Sequence, residues 1–242
     1  PMSARRQRQM CIRDSLRDDQ TLFAYLHLAG DQENAKQLID TGITGIAYET
    51  VTASDGSMPL LAPMSTIAGQ LAFVVGSYHL LKHNKGKGVM IGKMEDIDPR
   101  VVTVIGAGVA GTQSILKAQD NRALVKVVDS SQEKLDELKS KYDSNNIEYI
   151  LSTKDSIQSS INESDLVIGS VYVVGKEAPK VITKDMLTSM TPGTVMVDVS
   201  IDQGGCFESS KPTTHDNPTF LENDIVHYCV TNMPVSYTHL TL

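Results

Sequence analysis

The sequence is poor in the features that would assign it to several large functional classes. Its three cysteines are irregularly spaced and form no C-x-x-C pair, which supports neither a disulfide framework nor a zinc site, and no metal centre is expected. Apolar runs stop well short of the roughly 20 residues that cross a bilayer, and the N-terminus lacks a basic start, apolar core and small-residue cleavage site. The expectation is a cytoplasmic protein without a membrane partner. With a formal charge of -7 and no lysine or arginine cluster in the regularly patterned part, nothing concentrates nucleic acid. Small polar substrates remain. There is no internal repeat and no low-complexity segment.

What is present is an ordinary globular composition, 40% apolar and 21% charged over 242 residues, enough for one large domain or two small ones. Both ends depart from it. "PMSARRQRQMCIRDS" is basic and aperiodic and gives way abruptly at Leu16, while "SYTHLTL" closes the chain as abruptly. Both resemble translated sequencing-adapter read-through, so residues 1–15 and 236–242 are expected to be non-native scars on a product cut at both ends. The alternative is a genuine basic arm. The first fifteen residues hold four arginines and one aspartate, a net +3, so the remainder carries -10.

From Leu16 the pattern is mixed. "DQENAKQLIDTG" reads as an amphipathic helix stopped by Gly42, and "GIAYETV" reads as a short strand. "DGSMPLLAP" is turn chemistry followed by an extended segment. Met64, Ile67, Ala68, Leu71, Val75 and Tyr78 then recur at helical spacing, which predicts a long helix over 65–82. The following "KHNKGKG" is a candidate hinge. Beyond Pro99 strands and helices alternate: "VVTVIG", a helix from Ala110, "LVKVVD", a helix through Lys134 and Leu138, then "IEYILS", "SDLVIGSV", "TVMVDVS" and "DIVHYCV". Near-continuous apolar strands separated by helices indicate an α/β fold, a Rossmann-type doubly wound parallel sheet covered on both faces.

"VTVIGAGVAG" is the strongest local signal, with Gly106, Gly108 and Gly111 between a strand and a helix and a second strand ending in Asp129. Gly106 allows the tight turn, Gly108 lets backbone approach a pyrophosphate, and Gly111 lets helix and strand pack closely. The helix start at Val109 and Ala110 offers N–H groups to the phosphates. Asp129 lies 18 residues past Gly111, where a carboxylate accepts from ribose hydroxyls and repels a 2'-phosphate. Ser130 and Ser131 follow it, and no arginine does, so NAD is favoured over NADP. Asp129 could instead cap the next helix, and the two roles are compatible.

"VMVDVSIDQGGC" starts as a buried strand and opens into an acid, an amide, two glycines and a thiol. In open parallel sheets ligands bind beyond the carboxyl ends of the strands, and this is such an end. His79 and His83 stand four residues apart with no third ligand evident, which favours a solvated helix end over a metal site. Cys206 has no base partner and reads as a packing residue; Cys229 lies in an apolar strand and reads as inert.

"IDQGGCFE", "SKPTTHDNPTF" and "NMP", with "LHLA", "GIAYETV" and "LLAPMS" upstream, closely resemble the alanine dehydrogenase family, from Leu16 to about Pro234. The resemblance implies NAD-dependent, reversible oxidative deamination of L-alanine to pyruvate and ammonium in a homo-oligomer, usually a hexamer. It implies that His27 of "LHLA" contacts the substrate and transfers protons, and that Asp202 is the catalytic aspartate near the nicotinamide. Ser65 and Asn232 match positions lining the cofactor site, with Met64 and Met233 alongside. Such chemistry needs a group that titrates near neutrality and a carboxylate to manage water and ammonium. The family's arginine and lysine clamp for the substrate carboxylate falls upstream of Leu16, and Arg5, Arg6 and Arg8 are not promoted to it. The division implied is a partial N-terminal substrate domain over 16–62 and an NAD-binding domain with its connecting helix over 63–235. The alternatives are the NAD-binding subunit of proton-translocating transhydrogenase, which lacks the acid of "IDQGGC", and a noncatalytic NAD-binding module.

Overall fold

The computed structural model describes residues 16–28, 32–92 and 95–237. The proposed scar at 1–15 and all but Ser236 and Tyr237 of the one at the other end lie outside them. The N-terminal part is small: β1 (Thr21–Ala24) pairs in parallel with β2 (Thr44–Ala47) across the crossover helix α1 (Gln32–Asp40). Of the expected strand "GIAYETV" only the start is a strand; Tyr48–Thr50 turns into a 3-10 helix, which aims Glu49 inward.

Helix α2 (Ala62–His79) starts three residues before the predicted boundary, with Pro63 in its first turn, where a missing N–H costs nothing. Of the predicted tail, Leu80 and Leu81 leave the helix and Lys82 starts a separate 3-10 turn, Lys82–Asn84, which opens the candidate hinge. The rest of that segment is fastened down. The Lys87 ammonium bonds Asp165 at 3.0 Å and the Ser164 carbonyl at 2.9 Å, and the Lys87 N–H donates to the Gly193 carbonyl.

The rest is β3 (Val101–Ile105), α3 (Val109–Asp120), β4 (Leu124–Asp129), α4 (Gln132–Tyr142), β5 (Ile147–Leu151), α5 (Lys154–Glu163), β6 (Leu166–Gly169), β7 (Val195–Asp198), β8 (Thr219–Glu222) and β9 (Ile225–Tyr228). They form one sheet in the order β5-β4-β3-β6-β7-β9-β8. Six strands run parallel; β8 is an antiparallel edge strand on β9 that the sequence pattern did not reveal. The order reverses between β3 and β6, which is where doubly wound sheets open a crevice for ligands.

Alternation within the buried strands explains their unbroken apolar character. Val102 and Val104 of β3, Leu166 and Ile168 of β6, and Val195 and Val197 of β7 join one core with Ala72 and Phe73 of α2 and Ile115 of α3. Ile105, Val167 and Met196 point the other way, to a second core with Ile157 and Ile161 of α5 and with Phe207. Both faces are covered, so both sets must be apolar. Helix α2 is bound to α3 through the Ser114 hydroxyl, which donates to the Gly69 carbonyl at 2.7 Å.

Candidate active site

A cavity of about 590 Å³ opens at the carboxyl ends of the parallel strands, at the β3/β6 switch point. Its floor is the glycine turn. The chain leaves β3 through Gly106 at φ +97°, a conformation side chains avoid, and the Gly106 N–H donates to Val128 at 2.8 Å. A Cβ on Gly111 would sit 1.8 Å from the Gly106 carbonyl oxygen, so the helix can approach the turn only because Gly111 has no side chain. Gly108 differs: a Cβ there would meet no protein atom within 4 Å. The space beside it belongs to the cavity. Gly108 caps α3 with no side-chain bond, leaving the N–H groups of Val109, Ala110 and Gly111 at a positive helix end. Gly111 itself lies beneath the turn; Gly106, Gly108, Val109 and Ala110 line the cavity.

At the end of β4 the Asp129 carboxylate is 8% exposed and held by two backbone donors, Ala107 N–H at 2.7 Å and Ser131 N–H at 2.8 Å. Each oxygen keeps a lone pair for a further donor. Asp129 does not cap α4; Ser131 does, accepting from Lys134 N–H. Ser130 and Lys134 also line the cavity. Lys134 stands in the first turn of α4, past the two serines that follow Asp129, where only the folded helix brings its cation to the cavity.

The acid at the end of β7 accounts for the shape of the next loop. Asp198 is fully buried and accepts from the N–H groups of Ser200 (2.9 Å), Cys206 (2.9 Å) and Phe207 (3.3 Å) and from the Ser210 hydroxyl (2.5 Å). Burial raises its pKa, and these donors offset only part of the rise. The chain winds around this carboxylate as the 3-10 turn Val199–Gln203 and reverses through Gly204 and Gly205, both at positive φ. The turn carries Asp202 to the cavity. Both Asp202 oxygens accept the Asn232 N–H at 3.0 Å, and Asn232 is itself left-handed at φ +50°, ahead of the turn Met233–Ser236. Asn232 and Met233 line the same wall. Cys206 packs inside with its thiol pushed well up by burial, and burial raises Cys229 to about 12.

The opposite wall comes from the N-terminal part. His27 sits at φ +51° after β1, its ring stacked on Tyr25 at 5.8 Å. Glu49 holds the segment, accepting from Leu26 N–H at 3.1 Å and His27 N–H at 2.6 Å. Ser65 and Met64, in the first turn of α2, complete this side. Thus His27, Ser65, Asp129, Asp202, Asn232 and Met233 face one cavity although they come from opposite ends of the described chain. Sequence reading missed Asp198, Glu49 and Tyr172. The only trace of Asp198 was one acid inside an apolar strand. Among the described residues no group of three or more histidine, cysteine, aspartate or glutamate side chains could hold a metal, and no helix is long and apolar enough to cross a membrane.

Comparison with known proteins gives this cavity a family. Residues 72–240 match the family described as alanine dehydrogenase/PNT, C-terminal domain, and residues 8–68 match its N-terminal domain counterpart. The chain belongs to the alanine dehydrogenase/PNT family. It is 50% identical over 215 residues to the alanine dehydrogenase of Halomonas elongata, covering 89% of this chain and 58% of that one. To the alanine dehydrogenase of Mycobacterium tuberculosis it is 46% identical over 221 residues, covering 91% and 59%. Among solved structures an L-alanine dehydrogenase superposes with a TM-score of 0.83 at 39% identity, covering 93% of this chain and 62% of that one. The transhydrogenase from Sinorhizobium meliloti superposes at 0.73 with 22% identity over 92% and 64% of the two chains, a likeness of fold alone. This member of the family spans about three-fifths of the length of the curated relatives it matches.

Proposed function

We propose that this chain is the cofactor-binding and catalytic portion of an NAD-dependent alanine dehydrogenase, which converts L-alanine reversibly to pyruvate and ammonium. One observation carries the reading: a single cavity holds the glycine turn, the Asp129 carboxylate, His27 and Asp202. The names of its curated relatives support the same activity.

The residues fit a dinucleotide. The side-chain-free space at Gly108 and the uncapped start of α3 suit a pyrophosphate. The spare lone pairs of Asp129 suit ribose hydroxyls, and its charge opposes a 2'-phosphate, which favours NAD over NADP. When bound, NAD supplies the hydride acceptor for the α-carbon of alanine.

The protein's own groups do the rest. Asp202, its carboxylate oriented by the Asn232 N–H, places negative charge where the substrate nitrogen becomes cationic and where water must be directed at carbon. His27 is the proton-transfer group, set in place by its backbone bond to Glu49. Ser65, Asn232 and Met233 shape the cofactor wall. The same reading takes residues 16–62 as part of the substrate domain and 63–235 as the NAD-binding domain, in a cytoplasmic homo-oligomer, a hexamer by family resemblance. Asp202 in the loop after β7 favours the dehydrogenase over a transhydrogenase subunit.

The experiment extends the chain with the flanking segments of the Halomonas elongata relative and follows NADH formation with L-alanine. Alanine-dependent NADH formation is expected. NADH binding without any turnover of alanine would reduce the reading to a noncatalytic module.

A further inference from the structure

The loop after β6 holds one side chain that reaches both walls of the cavity. Tyr172 donates its hydroxyl proton to the Glu49 carbonyl oxygen at 2.9 Å, across 123 residues of sequence. Glu49 is the residue whose carboxylate fixes the N–H groups of Leu26 and His27. On the other side the Gln203 side chain, next to Asp202, faces the Tyr172 hydroxyl as a donor and offsets part of the rise that burial gives its pKa. The hydroxyl has a single proton, already given to Glu49, so the tyrosine oxygen can only accept, and Gln203 must present its Nε2 end.

A second observation agrees with that orientation. The Gln203 Oε1 atom is buried with no hydrogen-bond partner among the described residues. Leaving a buried acceptor unmatched is unfavourable, so an amide free to rotate would turn its oxygen toward a donor. A Gln203 amide whose Nε2 end faces the Tyr172 oxygen accounts for that orientation.

The neighbours of Tyr172 are tied down as well. The Ser170 hydroxyl donates to the Gly106 carbonyl at 2.8 Å, and the Ser200 hydroxyl donates to the Val171 carbonyl at 2.8 Å. Ser170 to Tyr172 therefore touches the glycine turn, the Asp202 turn and, through Glu49, the His27 segment.

We propose that Tyr172 is a positioning residue, which sets the separation of the His27 segment from the Asp202 turn by bonding Glu49 on one side and facing Gln203 on the other. It acts through these residues and does not itself exchange protons with substrate. Only the kinetic part of its test rests on the activity proposed above.

The test is Tyr172→Phe, which keeps the ring and removes the oxygen. In this chain, hydrogen exchange at the Leu26 and His27 amides is expected to quicken about tenfold, as befits the loss of one part-buried hydrogen bond. In the extended enzyme kcat should fall about tenfold while NADH affinity stays within about twofold. A residue serving fold stability alone would leave kcat intact at temperatures where the protein is folded. Equal exchange at both amides overturns the proposal, and so does a loss confined to NADH affinity with kcat unchanged. If the parent oxidises no alanine, the activity reading falls, while the exchange comparison still decides the role of Tyr172.

Discussion

Asp202 and Asn232 are joined head-on: both carboxylate oxygens of the first accept the backbone N–H of the second, each at 3.0 Å. The acid is aimed by the chain thirty residues ahead of it, from the segment that follows β9. Changing Asp202→Asn removes the charge and keeps the size. In the extended enzyme, turnover should drop about 100-fold or more, the scale of a lost acid-base or electrostatic group, with NADH affinity within about threefold. Steady-state rates beside a fluorescence titration of NADH check this; undiminished turnover would remove Asp202 from the chemistry.

Two glycines of one turn should respond in opposite ways. Gly111→Ala places a methyl 1.8 Å from the Gly106 carbonyl oxygen, a backbone atom that cannot step aside, so the protein should lose about 2 kcal/mol or more of stability. Gly108→Ala meets nothing and stands at an ordinary φ of -75°, so thermal unfolding should hardly change. Yet its methyl occupies the space assigned to the pyrophosphate, and NADH affinity should fall at least about tenfold. Melting curves and binding titrations on both variants distinguish a packing glycine from a ligand-approach glycine.

Asp129→Asn tests the ribose contact. Hydrogen bonds to charged groups contribute about 1.5 to 3 kcal/mol, so NAD affinity should weaken roughly 10- to 100-fold. The variant should also lose much of its preference for NAD over NADP, since the repulsion from a 2'-phosphate is gone. Paired Kd values for the two cofactors measure it; an unaltered ratio places the ribose elsewhere.

Asp198 makes a pH-dependent contribution whose sign is unusual for a carboxylate. Burial raises its folded pKa above the unfolded one, so the folded state holds the proton more tightly. Its contribution is therefore full below the ordinary aspartate range and is lost as pH rises through the raised value. Asp198→Asn lacks this component, and the stability difference between parent and variant should narrow with rising pH across that window. The variant should also be less stable throughout, by about 1 to 3 kcal/mol, because its amide NH2 must face donors that Asp198 satisfied on both oxygens. Denaturant melts at several pH values report both effects.

The sheet was readable because β3, β6 and β7 are buried on both faces, which leaves apolar runs that few other structures need. The glycine turn was readable because its constraints are local: a strand before it, a helix after it, an acid at the next strand's end. Strand β8 was not, since four half-exposed residues at a sheet edge carry little apolar pattern. Glu49 and Tyr172 left no trace because their partners stand 22 and 123 residues away, and a hydrogen bond over such a span writes nothing into local composition. The same holds for the tail of α2, where Leu80 and Leu81 keep the apolar spacing while the backbone leaves the helix.

The bond between Ser114 and the Gly69 carbonyl makes α2 and the nucleotide-side helix one piece, with the 3-10 turn at Met233 packed on the same rod. A swing that widens the cleft must consequently bend the stretch between Val51 and Leu61. One phenol is fastened near each end of that stretch, Tyr25 to Leu60 inside its far end and Tyr172 to Glu49 just ahead of its start. Such a swing would have to break both phenol bonds, and neither phenol belongs to the rod.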